Sequence, residues 1–245
     1  MSATRLLYVD RVNAFYGESH ILHDVSFDLC AGEIVGILGR NGVGKTTTLH
    51  TILGIVPPRT GQISFRAEPI AGKPAFDIVT RGIGWVPQGH RIFPTLSVVE
   101  NLELAAAKAR PGPWTIRMIY DAFPRLRDRC DARGSALSGG EQQMLAIARA
   151  LIQNPKLFLM DEPSEALSPA VVREVGSIVQ KLNREGASIL LVEQNLAFTL
   201  EVAHRVLIMN KGSIVYSGTP AELRADPDVS RRFLGVGVME REATK

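Results

Sequence analysis

The chain has 245 residues, of which 45% are hydrophobic and 22% charged, a composition typical of a globular protein with a buried core. Its 28 basic and 25 acidic residues leave a net charge of +3, too small an excess to indicate nucleic-acid binding. No apolar run approaches the roughly 20 residues needed to span a bilayer, and the N-terminus lacks the apolar core of a signal peptide. Cys30 and Cys130 form neither a metal-ligand spacing nor a disulfide framework, so we expect two reduced, small buried side chains.

Turn residues separate strand-like runs at the start of the chain, and strands alternate with helices towards its end. Strands are predicted at 6–16, 20–29, 33–38, 62–66, 84–88, 156–160, 188–192, 205–210 and 213–216, and helices after 44 and at 98–108, 114–123, 139–152, 171–184 and 196–203. This alternation predicts an α/β fold with a largely parallel sheet. Residues 90–152 are interpreted as a mainly helical insertion, and 237–245 as a polar tail.

Residues 39–46 follow the pattern G-x-x-x-x-G-K-[ST], between an apolar strand and a predicted helix. Glycines allow the backbone to aim N–H groups at phosphate oxygens, and the helix N-terminus adds a positive dipole. Lys45 is expected to reach the β- and γ-phosphates, and the Thr46 hydroxyl to bind Mg²⁺. The residues expected to bind nucleotide in this loop are Gly39, Asn41, Gly42, Gly44, Lys45, Thr46 and Thr47.

A buried strand, 157–160, runs directly into Asp161 and Glu162. Ligands of α/β sheets sit at the carboxyl ends of strands, so Asp161 is expected to hold Mg²⁺ and Glu162 to orient and deprotonate the attacking water. The alternative is an N-cap pair for the next helix. A second predicted anion site is Ser138, Gly139 and Gly140, which precede an alanine-rich helix.

These motifs together resemble the ATP-binding subunits of ABC transporters, over about residues 6–234. The resemblance implies one domain over residues 1–236, a phosphate-loop ATPase with an antiparallel β subdomain and a helical subdomain. It implies that Tyr16 stacks on adenine, that Gln88 contacts Mg²⁺ and links the site to the transporter, and that Ser138–Gly140 close over ATP held by a partner subunit. The expected ligands are therefore ATP and Mg²⁺, and the catalytic residues are Lys45, Glu162 and Gln194.

Three positions depart from the usual pattern of the family. Gln194 stands where most members have a switch histidine; an amide can donate a hydrogen bond to the γ-phosphate but carries no proton near neutral pH. Ser168 replaces the usual aspartate at the end of the segment that crosses the dimer interface, and Glu141 replaces the usual glutamine of the signature motif.

Residues 191–195, together with segments near 86–98 and 137–150, are similar to the LivF-type ATPases of branched-chain amino-acid importers. This resemblance implies a peripheral subunit at the cytoplasmic face of the inner membrane, powering uptake of leucine, isoleucine and valine. The implied partners are membrane-embedded permease subunits, a second ATPase subunit (a copy or a paralogue) and, indirectly, a periplasmic solute-binding protein; no nucleic acid is expected. Alternatives are an importer of urea or another small solute, a soluble ABC ATPase outside transport, a module that binds ATP without hydrolysing it, and a small-molecule kinase.

Overall fold

The computed structural model describes residues 4–89 and 91–235, so the predicted tail at 237–245 lies outside them. An antiparallel sheet contains four strands, β1 (Arg5–Tyr16), β2 (Ser19–Cys30), β4 (Thr60–Phe65) and β5 (Glu68–Pro69). Their order in the sheet is β2-β1-β4-β5. Along β1, Leu7 and Val9 are buried while their neighbours are partly exposed, the alternation expected of a sheet with one face on a core.

The second sheet has six strands in the order β10-β9-β3-β8-β7-β6. They are β3 (Ile34–Leu38), β6 (Ile83–Val86), β7 (Leu157–Asp161), β8 (Ser188–Glu193), β9 (Arg205–Asn210) and β10 (Ser213–Gly218). All neighbours pair in parallel except β9 and β10, which form an antiparallel hairpin. Lys211 and Gly212 both have positive φ, 45° and 79°, as a two-residue hairpin turn requires.

The parallel sheet is the middle layer of the molecule. Residues alternate along β7: Phe158 and Met160 pack with the core under the helices, while Leu157 and Leu159 pack with the core shared with the antiparallel sheet and α1. Because both faces of β7 are buried, its sequence is a continuous apolar run up to Asp161. The helices are α1 (Lys45–Ile52), α2 (Ala75–Thr80), α3 (Val98–Ala106), α4 (Ile116–Ala122), α5 (Pro124–Asp128), α6 (Gly139–Leu151), α7 (Pro169–Arg184), α8 (Leu196–Val202), α9 (Pro220–Ala225) and α10 (Pro227–Leu234).

The predicted α/β architecture is confirmed, with helices α3–α6 in the predicted helical segment. The sequence did not predict the short elements β5, α2, α5, α9 and α10. The mixed-charge stretch at 124–133 contains α5, whose Leu126 is fully buried. The cysteines were predicted to be buried, but Cys30 and Cys130 are only half-buried, and neither forms a disulfide.

Candidate active site

The predicted phosphate-binding loop joins β3 to α1. Gly44 has φ 111° and precedes the first residue of α1, Lys45, so the chain enters the helix through a conformation that a side chain would strain. Gly39 is packed so closely that a Cβ there would lie 2.7 Å from the carbonyl oxygen of Met209. At Gly42, by contrast, nothing lies within 4 Å of the position that a Cβ would occupy. The loop thus has a packed base and an open rim, which fits it to receive a phosphate chain.

Lys45 is almost completely buried and its ammonium group has three acceptors. Nζ donates to the carbonyl oxygens of Gly39 at 2.9 Å and Arg40 at 3.2 Å. It also lies 2.9 Å from Glu162 Oε1, in an ion pair whose side chains are 3% and 8% exposed. A lysine has three N–H donors, so its capacity is filled by the loop and the Glu162 carboxylate. For Lys45 to bind a phosphate oxygen, its ammonium group would have to release at least one of these acceptors.

Asp161 ends β7 beside the start of α1. Its Oδ1 accepts a hydrogen bond from Thr46 Oγ1 at 3.0 Å, and only 2% of the residue is exposed. Burial raises the pKa of Asp161 to about 6, and the Thr46 hydrogen bond offsets only part of that effect. A cation beside this carboxylate would favour its charged form. The buried carboxylate and hydroxyl oxygens are therefore a donor set that fits Mg²⁺.

Glu162 adopts a left-handed backbone conformation, with φ 47°, immediately after the strand. This conformation costs energy for a residue with a Cβ, and such residues persist where the surroundings hold them. Here the Glu162 N–H donates to Val192 O at 2.9 Å, and the Glu165 N–H closes a turn onto Glu162 O at 3.0 Å. The turn brings the Glu162 carboxylate to Lys45. The alternative interpretation of this acidic pair as an N-cap receives no support, since the N-cap of the next helix is Ser168.

Gln88 lies on the exposed segment after β6, and its side chain is joined to the turn after Glu162. Gln88 Nε2 donates to Glu165 Oε2 at 2.9 Å. Because a carboxylate only accepts hydrogen bonds, the amide nitrogen of Gln88 must face Glu165, leaving the amide oxygen for another partner. Glu165 also acts electrostatically on Asp161, whose pKa it raises slightly further. The predicted Mg²⁺ contact of Gln88 stays a prediction.

Gln194 follows β8, and its residue is exposed. Its neighbour Glu193 was not predicted to be a site residue. Glu193 is 2% exposed and accepts hydrogen bonds from the backbone N–H groups of Gln194 and Asn195, both at 3.1 Å. A glutamate that ends an otherwise apolar strand is the signal that could have indicated a buried, hydrogen-bonded carboxylate.

The second predicted anion site is at the start of α6. Ser138 and Glu141 form a capping box: Glu141 N donates to Ser138 Oγ at 3.3 Å, and Ser138 N donates to Glu141 Oε2 at 2.8 Å. The Ser138 hydroxyl also donates to Glu141 Oε2 at 2.9 Å. Ser138 and Gly139 are exposed, so the N-terminus of α6 is accessible to a ligand or a partner subunit.

Tyr16, predicted to stack on adenine, ends β1 with 49% of its surface exposed. Its hydroxyl lies 3.4 Å from His50 Nδ1, and His50 makes an edge contact with Trp85. Tyr16 therefore lies beside α1, the helix that starts at the phosphate-binding loop. Ser168 is exposed at the N-cap of α7, accessible to another subunit.

The fold and these side chains define a phosphate-loop nucleotide hydrolase. A family model described as ABC transporter matches residues 22–165. BraG of Pseudomonas aeruginosa, a high-affinity branched-chain amino acid transport ATP-binding protein, is 40% identical over 94% of this chain and 100% of its own. LptB of Escherichia coli, a lipopolysaccharide export system ATP-binding protein, is 37% identical over 90% of this chain and 93% of its own. The "Probable branched-chain amino acid transport ATP-binding protein LivF" of Archaeoglobus fulgidus is 34% identical over 94% of this chain and 99% of its own.

The solved structure of cbiO1 from Clostridium perfringens, part of an ABC transporter complex, superimposes with a TM-score of 0.81 at 28% identity, covering 94% of each chain. The protein belongs to the ABC transporter family and is an ATP-binding, ATP-hydrolysing subunit. Such subunits dimerise and work with membrane permeases. Within residues 4–89 and 91–235, no helix combines the length and apolar character needed to cross a membrane.

Proposed function

We propose that this subunit powers the import of branched-chain amino acids from the cytoplasmic face of the inner membrane. The observation that carries the hydrolytic part is the meeting of Lys45, Thr46, Asp161 and Glu162 at one edge of the parallel sheet. The 40% identity to BraG over nearly the whole chain supports the cargo class. Cargo enters through other subunits, so the nucleotide site itself carries no information on leucine, isoleucine or valine.

In the proposed reaction, Lys45 leaves Glu162 and binds the β- and γ-phosphates of ATP. The freed Glu162 carboxylate orients a water molecule and accepts its proton as the water attacks the γ-phosphorus; the bond from the γ-phosphorus to the bridging oxygen breaks, and ADP leaves with that oxygen. Gln194 donates a hydrogen bond to the γ-phosphate. Thr46, Asp161 and Gln88 would hold Mg²⁺, which would neutralise charge on the phosphates. The ion pair seen between Lys45 and Glu162 thus keeps the base occupied until nucleotide arrives.

The proposed active unit contains two ATPase subunits, either two copies of this chain or this chain with a paralogue. The exposed start of α6, with Ser138, Gly139 and Gly140, closes over ATP bound at the partner's phosphate-binding loop, and Tyr16 stacks on adenine. Each site is therefore completed by the other subunit. A monomer that hydrolysed ATP at the full rate at non-dimerising dilution would contradict this composite site.

A groove between α2 and the helical segment is the proposed contact for the permease. It has a volume of about 750 Å³. Phe76 and Leu104 line it with 70% and 53% of their surfaces exposed, and Lys108 and Arg110 add positive charge to its lining. Exposed apolar side chains beside charges of one sign are typical of partner surfaces. The expected occupant is a short permease helix with apolar side chains and an acidic residue.

The test is reconstitution of the chain with the permease subunits and binding protein encoded beside it, in liposomes. We expect leucine-loaded binding protein to stimulate ATP hydrolysis and leucine uptake, and Glu162→Gln to abolish both while retaining ATP binding. Stimulation by urea instead would change only the cargo. The absence of any neighbouring permease would contradict the transport role. Phosphate release by the natural chain that is no higher than that of the inactive Glu162→Gln variant would indicate a module that binds ATP without hydrolysing it.

A second candidate is export of a lipid such as lipopolysaccharide, which the 37% identity to LptB supports. The two functions are distinguished by the partner that the chain selects. An importer pairs with permeases that accept a loaded solute-binding protein. If lipopolysaccharide stimulated ATP hydrolysis in the same liposomes and leucine did not, the result would favour the exporter.

A further inference from the structure

Glu193 is a buried charged group at the end of β8. Taking a carboxylate out of water is costly unless hydrogen bonds replace its hydration. Oε1 accepts the Ser164 N–H at 2.9 Å, and Oε2 accepts the N–H groups of Gln194 and Asn195. Burial raises the pKa of the Glu193 carboxyl, and the hydrogen bonds from Ser164, Asn195 and Gln194 oppose that shift.

The two oxygens of Glu193 bind two separate segments of the active site. Ser164 belongs to the turn that begins at Glu162, whose φ is positive and has to be held by its surroundings. Gln194 and Asn195 lead into α8, where Asn195 Oδ1 caps the helix by accepting the Phe198 N–H at 3.1 Å. A single side chain thus connects the backbone after the predicted base to the backbone of the switch residue.

We propose that Glu193 is a positioning residue that fixes Gln194 relative to the Glu162 turn. This inference rests on the proposed hydrolytic function of Glu162 and Gln194. Gln194 has a neutral amide, so it acts on a γ-phosphate by one directed hydrogen bond whose strength depends on placement. A buried carboxylate shared between two loops provides that placement, because neither loop can shift without losing a charge-assisted hydrogen bond.

Glu193→Gln separates the two connections. An amide has one acceptor oxygen, and two of the three N–H donors point at the Oε2 position. The amide oxygen is therefore expected to keep the bonds to Gln194 and Asn195. The amide NH₂ group then faces Ser164, which breaks the bond from the Ser164 N–H and leaves the Ser164 hydroxyl, which also bonds to the carboxylate, able only to accept. The variant keeps the side-chain volume and the α8 entry while weakening the connection to the Glu162 turn.

The matched control is Thr219→Ala. It removes the hydroxyl that caps α9, a structural contact outside the proposed site, and leaves Glu193 and all three of its backbone donors unchanged. We expect Glu193→Gln to lower kcat by about tenfold with the KM for ATP within about twofold of the natural value. Thr219→Ala is expected to lower the thermal midpoint but to retain kcat.

Either of two results would overturn the proposal: Glu193→Gln with kcat unchanged, or Thr219→Ala with an equal loss of kcat. If the natural chain binds ATP but releases no phosphate, the proposed function fails instead. If Glu193→Gln does not fold, the proposal is tested instead by measuring amide hydrogen exchange in the unmodified protein. Slow exchange at Ser164 and Gln194 supports the connection, and exchange at the rate of an open loop at either residue overturns it.

Discussion

Gln88 has an amide group whose two ends differ chemically, and Glu165 determines which end is free. The nitrogen donates to Glu165 Oε2, so the oxygen is the atom that remains to meet a cation or its water shell. The amide orientation follows from chemistry alone, because a carboxylate cannot donate. Glu165 thus orients a predicted Mg²⁺ ligand without itself belonging to the predicted set.

Glu165→Ala is expected to raise the Mg²⁺ concentration that half-saturates ATP binding by about threefold, because the freed amide of Gln88 samples both orientations. Binding is measured in the Glu162→Gln background, so that hydrolysis does not deplete ATP. Glu165→Gln is the control, since its amide oxygen still accepts from Gln88. Equal weakening by Gln and Ala would show that Glu165 acts through its charge instead.

At the scale of the helix, α3, α6 and α9 all begin with the same capping box. The pairs are Ser97 with Glu100, Ser138 with Glu141, and Thr219 with Glu222. Glutamate and glutamine both serve at the third helical position of such a box, which explains why Glu141 can replace the family's usual glutamine. The replacement changes charge, because hydrogen bonds from Ser138 lower the pKa of Glu141 and keep it ionised at neutral pH.

Glu141→Gln is expected to lower the KM for ATP by roughly two- to fivefold, because in the proposed dimer it removes a negative charge facing the partner's triphosphate. Steady-state ATP hydrolysis measures the effect. The matched control is Glu222→Gln, which makes the same change in the box of α9 and is expected to leave KM unaltered. An unchanged KM in Glu141→Gln, at salt concentrations that preserve the dimer, would argue against this placement of α6.

At the scale of the whole molecule, the parallel sheet places the chemistry at one edge and the helical segment beside it. Lys45 follows β3, Asp161 ends β7, and Glu193 ends β8; these strands are neighbours in the sheet. The carboxyl ends of adjacent parallel strands meet at one edge, so residues more than a hundred positions apart become neighbours. Arg149 of α6 donates a hydrogen bond to Arg91 O at 3.0 Å, which connects α6 to the segment after Gln88.

Phe76→Ser is expected to weaken association with the permease by about tenfold while leaving ATP binding unchanged, because Phe76 is an exposed apolar side chain of the groove. Co-purification from detergent and ATP binding by the isolated chain are the two measurements. Val215→Ser, on β10, is the control for loss of an exposed apolar side chain elsewhere. Equal permease recovery with Phe76→Ser and the natural chain would show that the permease binds another surface.

Short-range chemistry made part of the site predictable. The phosphate-binding loop and the Asp161–Glu162 pair each lie in one contiguous stretch, and the helix start at Lys45 was expected from the glycine that precedes it. The helix entry at Ser138 was also expected, because a serine followed by two glycines before an alanine-rich run is a local signal of a helix start, whereas the capping box with Glu141 was found only in the structure. The roles of Tyr16, Gln88 and Gln194 came from family resemblance and stay predictions.

The short elements α2, α5, α9 and α10 were missed, because helices with so few turns show no clear period and are held by tertiary packing. The threonine and glutamate of the capping box at Thr219 and Glu222 are a local signal that could have indicated α9. Leu126 illustrates this: one fully buried side chain anchors α5 among charged neighbours. The cysteines were mispredicted for a related reason. Residue type gives the average burial of cysteines, but the packing around Cys30 and Cys130 determines how much of each side chain is exposed.

The sequence by itself determined the family, the α/β class and the phosphate-binding loop, since these depend on local pattern and periodicity. Only the tertiary structure showed the ion pair between Glu162 and Lys45 and the hydrogen bond from Gln88 to Glu165. It also showed the hydrogen bonds by which Glu193 connects Ser164 and Gln194. Such pairings depend on which strands are adjacent and on where buried carboxylates find donors. A local sequence pattern does not show which strands are adjacent. Hydrogen bonds between distant segments form only when the folded sheet brings the ends of its strands together.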